Sequence, residues 1–236
     1  MKILFFTGAG ISAPSGIPIY RGLGGVWTNN PEKEKETNAT TYARNPKLVW
    51  ETIHETRRVC NAASPNAAHY AIARVANDHD VCVVTQNVDG LHARAMIEVN
   101  SQEHPIIELH GDINSLRCND CGLVIHYNAS KEFDTLTCDC TGTLRPGVVL
   151  FGDMIDNWDY TRAMIWAENA DMIIAVGTTG SVFPAANILI AANDRAYIEK
   201  IPFHYFNLER NHEEYPFAQY HYGDASITLP EFLESL

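Results

Sequence analysis

The sequence is short of cations. Seventeen lysines and arginines stand against 29 aspartates and glutamates, a formal charge of −12 at pH 7. Nucleic acids and anionic membranes are generally met by a basic surface, so neither is expected as a partner. No apolar run approaches the ~20 residues that span a bilayer. Met1-Lys2 passes directly into an apolar segment with no cleavage-site pattern behind it, so no signal peptide is expected and the cytoplasm is the expected compartment. Internal repeats and low-complexity tracts are absent as well. Cysteine is limited to six, and two of these, Cys60 and Cys82, stand alone in helical or apolar surroundings and read as small buried hydrophobes. The remaining composition, 46% apolar over 236 residues, is that of an ordinary globular chain with room for one large and one small lobe.

What is present is a series of short apolar runs that break into glycine or polar side chains. Ile3-Leu4-Phe5-Phe6 leads into TGAGISAPSGIPIYR (Thr7–Arg21), where Gly8, Gly10 and Ala13 form a Gly-x-Gly-x-x-Ala turn. Such a turn lets backbone approach a pyrophosphate, with a helix N-terminus stabilising its charge. Val81–Val84 leads into TQNVDGLH (Thr85–His92), and Pro105–Gly111 reads as a strand ending in His110. Met172–Thr179 and Phe203–Glu209 repeat the pattern. Between them, helical spacing is found at Pro46–Cys60, after Ser64-Pro65-Asn66, at 159–169, at 185–193, and after Gly223-Asp224-Ala225. Alternating units of this kind predict an α/β fold: a Rossmann-like parallel sheet with helices on both faces and ligands at the carboxyl ends of the strands. The expected division is a nucleotide-binding domain of residues 1–28, 76–113 and 143–236, an inserted loop and helical module of 29–75, and a metal module of 114–142. Asn29–Tyr42 is polar and charged without apolar periodicity, and reads as a solvated connector.

Cys118-x-x-Cys121 and, sixteen residues on, Cys138-x-Cys140 present four thiolates from two tight turns. In a reducing compartment this pattern points to a metal rather than to disulfides. Zinc favours tetrahedral thiolate ligation, and four cysteines leave no position open for water. The expected role of the metal is therefore structural: it ties down a small ribbon, which with the helical module makes the small lobe.

A Gly-x-Gly-x-x-Ala turn fits many dehydrogenases, but those place an acidic residue at the end of a second strand ~20 residues on. Here that interval holds the Gly-rich loop Gly22–Trp27 and the charged connector. The combination instead resembles the sirtuin family of NAD-dependent protein deacylases. The resemblance is carried in order by Gly8–Ser12, Ser15–Pro18, Arg21-Gly22, Thr85–His92, His110-Gly111, the four cysteines, Leu144-Arg145-Pro146 through Phe151-Gly152, Gly177-Thr178, Pro184-Ala185 and Asn207-Leu208-Glu209.

The resemblance implies a deacylase, most of all a deacetylase. It would use NAD as co-substrate and zinc structurally, act as a monomer on an acylated-lysine protein or peptide, and release nicotinamide and O-acyl-ADP-ribose. His110 is the implied general base on a ribose hydroxyl. Asn87 would hold the ribose and a water, Asp89 the nicotinamide carboxamide, and Gln86 the ribose. Gly8, Ala9, Gly10, Ser12, Tyr20, Arg21 and Trp27 fall where the family grips the phosphates and the nicotinamide side, with Tyr20 and Phe151 as pocket walls. Gly177, Thr178, Thr179, Asn207, Leu208, Glu209 and Ala225 fall on the adenosine half. Val148, Val149, Leu150, Phe151 and Gly152, opposite Val182 and Phe183, would sandwich the substrate peptide as an added strand. Two other outcomes stay open: transfer of ADP-ribose to protein or water, and a non-catalytic NAD-binding regulator.

Two departures from the family carry expectations. Ile19-Tyr20-Arg21 stands where relatives commonly have Asp-Phe-Arg or Thr-Phe-Arg, and the loss of a polar group at Ile19 predicts lower turnover. The Gly22–Trp27 loop and Trp50-Glu51 resemble the branch that removes succinyl and malonyl groups, which grips the acyl carboxylate with a Tyr and an Arg three residues later. Those positions are Ile53 and Thr56 here, and Arg57 is turned from them by about 100° on a helix. An uncharged acyl group is expected. His54, His69, His79, His92, His104, His126, His204, His212 and His221 are expected to serve as surface, capping or packing residues, and Glu103 and Glu108 have no evident catalytic partner.

Overall fold

Each apolar run becomes a strand buried along its length, because helices cover both faces of the sheet it joins. The structure, a computed structural model, describes residues 1–20, 24–101, 103–126, 137–210 and 215–236. Strand β1 (Lys2–Thr7) is followed by helices α1 (Val26–Asn29), α2 (Pro31–Lys35), α3 (Ala39–Arg44), α4 (Pro46–Ala62) and α5 (Ala67–Val75). Then come β2 (Asp80–Thr85), α6 (Leu91–Glu98), β3 (Ile106–Glu108), β4 (Gly111–Cys118), β5 (Val124–His126) and β6 (Leu144–Val148). The chain closes with α7 (Asn157–Asn169), β7 (Met172–Val176), α8 (Ala186–Ile198), β8 (Phe203–Asn207), β9 (Gln219–Tyr222) and α9 (Ala225–Leu233).

Six strands form one parallel sheet in the order β3-β2-β1-β7-β8-β9. Strand side chains alternate between faces. Leu4, Phe6, Val84, Ile173 and Tyr205 therefore pack with α7 and α8, through Ala163, Ala167, Ile188 and Leu189. Ile3, Phe5, Val83, Ile174 and Phe206 pack with α5, α6 and α9, through Ala68, Ile72, Met96 and Leu229. Burying one such side chain fully contributes about 1.5–3 kcal/mol. The order reverses at β1, with β2 on one side and β7 on the other, and the register aligns Thr7 with Thr85 and with Val176. That reversal opens a crevice at the strand tips, where ligands bind in such sheets. Among the described residues, no helix is long and apolar enough to cross a membrane.

A second, antiparallel sheet, β5-β4-β6, carries the four cysteines, Cys118 at the end of β4 and the other three on the connections. Its own core is small: Leu116, Cys118, Cys138 and Leu144, with Trp50 packed against them. The sequence division puts residues 143 onward in the larger lobe, yet Leu144–Val148 pairs with β4 in this small sheet.

The segment read as a solvated connector is largely helical. Helices α2 and α3 bury no side chain and so show no apolar stripe. Local chemistry helps to hold them, since Pro31 opens α2 and the Asn38 side chain accepts from Thr40 N to cap α3, while Ala39 and Tyr42 pack half-buried against the cluster of Val49, Ile53 and Leu150. The segment is also tied to a more distant stretch, because Ala39 N donates to Phe151 O and Phe151 N to Thr37 O, both at 2.9 Å.

Candidate active site

The three strand tips at the crevice carry the polar side chains. At the end of β2, the Asn87 amide nitrogen donates to Gly8 O and to Ser12 Oγ, both at 3.1 Å. Ser12 Oγ donates in turn to Asp89 Oδ2 at 2.7 Å, and Asp89 Oδ1 accepts from Leu91 N at 2.9 Å, where α6 begins. With both amide hydrogens of Asn87 engaged, its Oδ1 is the atom left for a ligand. Burial is the main influence on the Asp89 carboxyl and raises its pKa, opposed by the hydrogen bonds from Leu91 and Ser12.

His110 sits just past β3. Its Nδ1 lies 2.9 Å from Gln86 O. A carbonyl oxygen only accepts, so Nδ1 carries the hydrogen and the neutral ring keeps its lone pair on Nε2. Burial lowers the pKa of this imidazole, opposed by the bond to Gln86. The ring is thus fixed in one tautomer and favoured in its basic form.

A cavity of about 700 Å³ joins these groups. Gly8, Ala9, Gly10 and Ser12 line it from the first turn, and Gln86, Asn87, Asp89 and His110 from the next two tips. Gly177, Thr178 and Thr179 follow from β7, with Asn207, Leu208, Glu209 and Ala225 beyond. The two turns touch: Gly10 N donates to Gly177 O at 2.7 Å, and a Cβ on Gly10 would lie 2.6 Å from Gly177 Cα. Glycine at position 10 is therefore dictated by contact within the protein, before any ligand is considered. Gln86 Nε2 reaches across to Thr178 Oγ1 at 2.8 Å.

The opposite wall is apolar. Tyr20 stacks on Trp27 with ring centroids 4.4 Å apart, and Trp27 meets Phe151 edge-on at 5.0 Å. Val148–Gly152, Val182 and Phe183 line the mouth. Helix α4 contributes Ile53 and Thr56, the latter with its hydroxyl donated to Thr52 O at 2.9 Å. Arg57 is off the cavity, its Nε donating to Ile113 O at 2.8 Å. Among the described lining residues the one lysine or arginine is Lys33, 3.9 Å from Glu55. Arg21, expected at the cofactor, lies outside the described residues, as do Gly22, Leu23 and His212.

Sequence reasoning missed several groups here. Val59 and Cys60 line the cavity three and four residues beyond Thr56, so helical spacing could have found them. His69, expected only to cap or pack, caps α5 through its Nδ1 and also has its Nε2 3.5 Å from Ser12 Oγ. His92 Nε2 lies 2.9 Å from Thr7 Oγ1, which bonds Thr85 Oγ1 at 2.8 Å, and Thr85 Oγ1 accepts from Asn87 N at 3.1 Å. No local pattern marks the Ser12–His69, Thr7–His92 and Thr7–Thr85 contacts, because their partners are 57 to 85 residues apart.

In the small sheet the Sγ atoms of Cys118, Cys121, Cys138 and Cys140 all lie within 4.8 Å of one another. Two of the separations are 3.5 and 3.7 Å. Thiolates about 2.3 Å from zinc at tetrahedral angles are about 3.8 Å apart, so the donor set and spacing fit that ion.

Comparison with known proteins gives a consistent picture. The model of the Sir2 family matches residues 8–184. An NAD-dependent protein deacylase of Pasteurella multocida is 35% identical over 99% of this chain and 97% of its own. One of Aquifex aeolicus is 39% identical over 82% of this chain and 80% of its own. Among solved structures, a Sir2 homologue–NAD complex has a TM-score of 0.83 at 33% identity, covering 99% of this chain and 88% of that one. A Sir2 protein with deacetylated p53 peptide and 3′-O-acetyl ADP-ribose has a TM-score of 0.76 at 25% identity, over 98% and 90%.

Proposed function

The chain belongs to the Sir2 family, and we infer from its site that it removes acyl groups from protein lysines with NAD as co-substrate. The observation that carries this reading is the Nε2 of a tautomerically fixed His110, which has no hydrogen-bond partner among the described residues, at the wall of a cavity that also holds the two glycine turns. When bound, NAD supplies the ribose carbon that takes the acyl oxygen as nicotinamide leaves, and the hydroxyl to which the acyl group moves.

The chain's own residues do the rest. His110 Nε2 accepts the proton of that ribose hydroxyl, a task suited to an imidazole kept neutral near pH 7. Asn87 Oδ1 accepts from the ribose, and Gln86 bridges the two halves of the site. Asp89, held by Ser12 and by the start of α6, accepts from the carboxamide. Gly8, Ala9 and Gly10 pass their backbone along the pyrophosphate. Thr178, Asn207 and Glu209 take the adenosine side, and Tyr20, Trp27 and Phe151 keep water from the reacting centre. The substrate backbone pairs between Val148–Gly152 and Val182-Phe183, and the four cysteines hold zinc structurally.

The acyl group is uncharged, acetyl first. Ile53 and Thr56 offer no charge-assisted partner to a carboxylate, and the one lysine or arginine among the described lining residues, Lys33, is already paired with Glu55. The enzyme acts as a monomer in the cytoplasm, a reducing compartment that suits its unpaired cysteines. Mass spectrometry of products from NAD and a panel of acyl-lysine peptides tests the reaction, with O-acyl-ADP-ribose expected. Nicotinamide release that is indifferent to acylated peptide would overturn it. A kcat/KM for succinyl-lysine above that for acetyl-lysine on one peptide would overturn the acyl assignment alone.

A further inference from the structure

The turn that leaves β7, Gly177 to Gly180, is held from behind by two tyrosines that do not line the cavity. Tyr205 Oη donates to Thr178 O at 3.0 Å, and Tyr215 Oη donates to Gly180 O at 3.1 Å. Tyr205 has no exposed surface and Tyr215 is 7% exposed. Their rings stack at 5.7 Å between centroids, and Tyr220 Oη accepts from Tyr215 N at 2.6 Å. Gly180 has a φ of +68°, and a Cβ there would lie 2.7 Å from Tyr215 Oη, so the glycine is fitted to the phenol. Asn207 Nδ2 also donates to Thr178 O, at 3.2 Å, whereas among the described residues Gly180 O accepts a hydrogen bond from Tyr215 only.

We propose that Tyr205 and Tyr215 are positioning residues for NAD, their phenols fixing the Thr178–Gly180 turn in the form that receives the adenosine half. The proposal rests on the reading of the cavity as an NAD site. Deleting a phenol leaves a buried carbonyl short of a donor, and the turn then shifts to find another. A binding-competent form that is only partly populated weakens apparent affinity by that fraction. His110 stands past β3, on the far side of β2 and β1 from this turn, and Gln86, which touches both, holds His110 by its backbone carbonyl and Thr178 by its side chain, so the larger effect falls on dinucleotide binding.

The test compares Tyr205→Phe, Tyr215→Phe and the double variant with the unchanged enzyme, using Tyr197→Phe on the exposed side of α8 as a control. KM for NAD and for acetyl peptide, kcat, the melting temperature and the Kd of ADP-ribose are measured. Tyr215→Phe is expected to raise KM for NAD and Kd for ADP-ribose together by roughly 3- to 10-fold, the range for one lost hydrogen bond. Tyr205→Phe, with Asn207 still in place, is expected to raise both by about 2-fold. Peptide KM and kcat should stay within about 2-fold, and the control should behave as the parent. An unchanged ADP-ribose Kd in both single variants overturns the proposal, as does a fall in kcat that tracks melting temperature at constant KM. Should the double variant fail to fold, the single variants decide by the same ratio. A parent enzyme that does not bind ADP-ribose would overturn the reading of the cavity, and the brace with it.

Discussion

At position 110 one ring nitrogen is engaged with Gln86 O and the other is available, and that asymmetry sets two measurable behaviours. His110→Ala should lower deacylation about 10²- to 10⁴-fold, the usual worth of a positioned base, while ADP-ribose binds within a few-fold of the parent. Burial favours the neutral ring, so the acid limb of kcat/KM should have its midpoint below the 6.5 of a free imidazole, with a plateau toward pH 8. A midpoint above 6.5 would show the base to be a group other than His110. This residue, with Asn87 and Asp89, was legible because TQNVDGLH and LHG are contiguous strings whose chemistry survives without a structure. Ser12–His69 and Thr7–His92 were not, since α5 and α6 deliver those rings to the strand tips from far along the chain. The brace at Tyr205 was hidden for a different reason: in Phe203-His204-Tyr205-Phe206 a phenol reads as one more core aromatic.

Helix α4 sets Ile53 and Thr56, three residues apart and on one face, against the cavity, and the acyl preference proposed above rests on that pair. Replacing Ile53 with Tyr and Thr56 with Arg together should raise succinyl relative to acetyl kcat/KM by about 10-fold or more, the equivalent of a charge-assisted bond of ~1.5–3 kcal/mol. An unchanged ratio would show that the acyl chain lies elsewhere. The small sheet makes a second prediction. Its core of Leu116, Cys118, Cys138 and Leu144 is too slight to hold three strands alone, and β6 runs on into Val148–Gly152 at the cavity. Stripping zinc with a strong chelator should therefore lower the melting temperature and abolish activity together, both returning when zinc is restored. Retention of activity after stripping would separate the ribbon from the site. Long apolar elements were legible from periodicity. Helices α2 and α3 were not, because they bury no side chain fully and depend in part on caps and on backbone bonds to Phe151. The placement of β6 escaped for a related reason: which sheet a five-residue strand joins is settled by its partner β4, and no feature of its own sequence records that pairing.

The whole molecule keeps several histidines neutral inside it, and this governs how it meets acid. Burial depresses His69 to about 2, and His92 and His204 to about 4. All three are at most 7% exposed. The unfolded chain binds a proton at each near pH 6.5, so below that value the unfolded state holds more protons and stability falls with pH. Each such histidine removes up to about 1.4 kcal/mol per pH unit until its folded pKa is reached. Glu108 works in the opposite sense. Burial, with Asp112, Asp89 and Asp159 nearby, raises it to about 7, so the folded state takes up its proton first and gains stability as pH falls through that value. One carboxyl offsets roughly one histidine, which leaves a net loss of about 2–3 kcal/mol per unit between pH 6 and 4.5. Over that interval the loss is about 3–4.5 kcal/mol, close to the lower end of a typical stability of ~5–15 kcal/mol. Urea midpoints measured from pH 8 to 4.5 should be nearly level above pH 7 and fall steeply below 6.5. A level profile down to pH 5 would mean that His69, His92 and His204 accept protons without leaving the interior. The strand-tip network that orders Asn87 and Asp89 would then have to tolerate charge, and could not depend on neutral rings at positions 69 and 92.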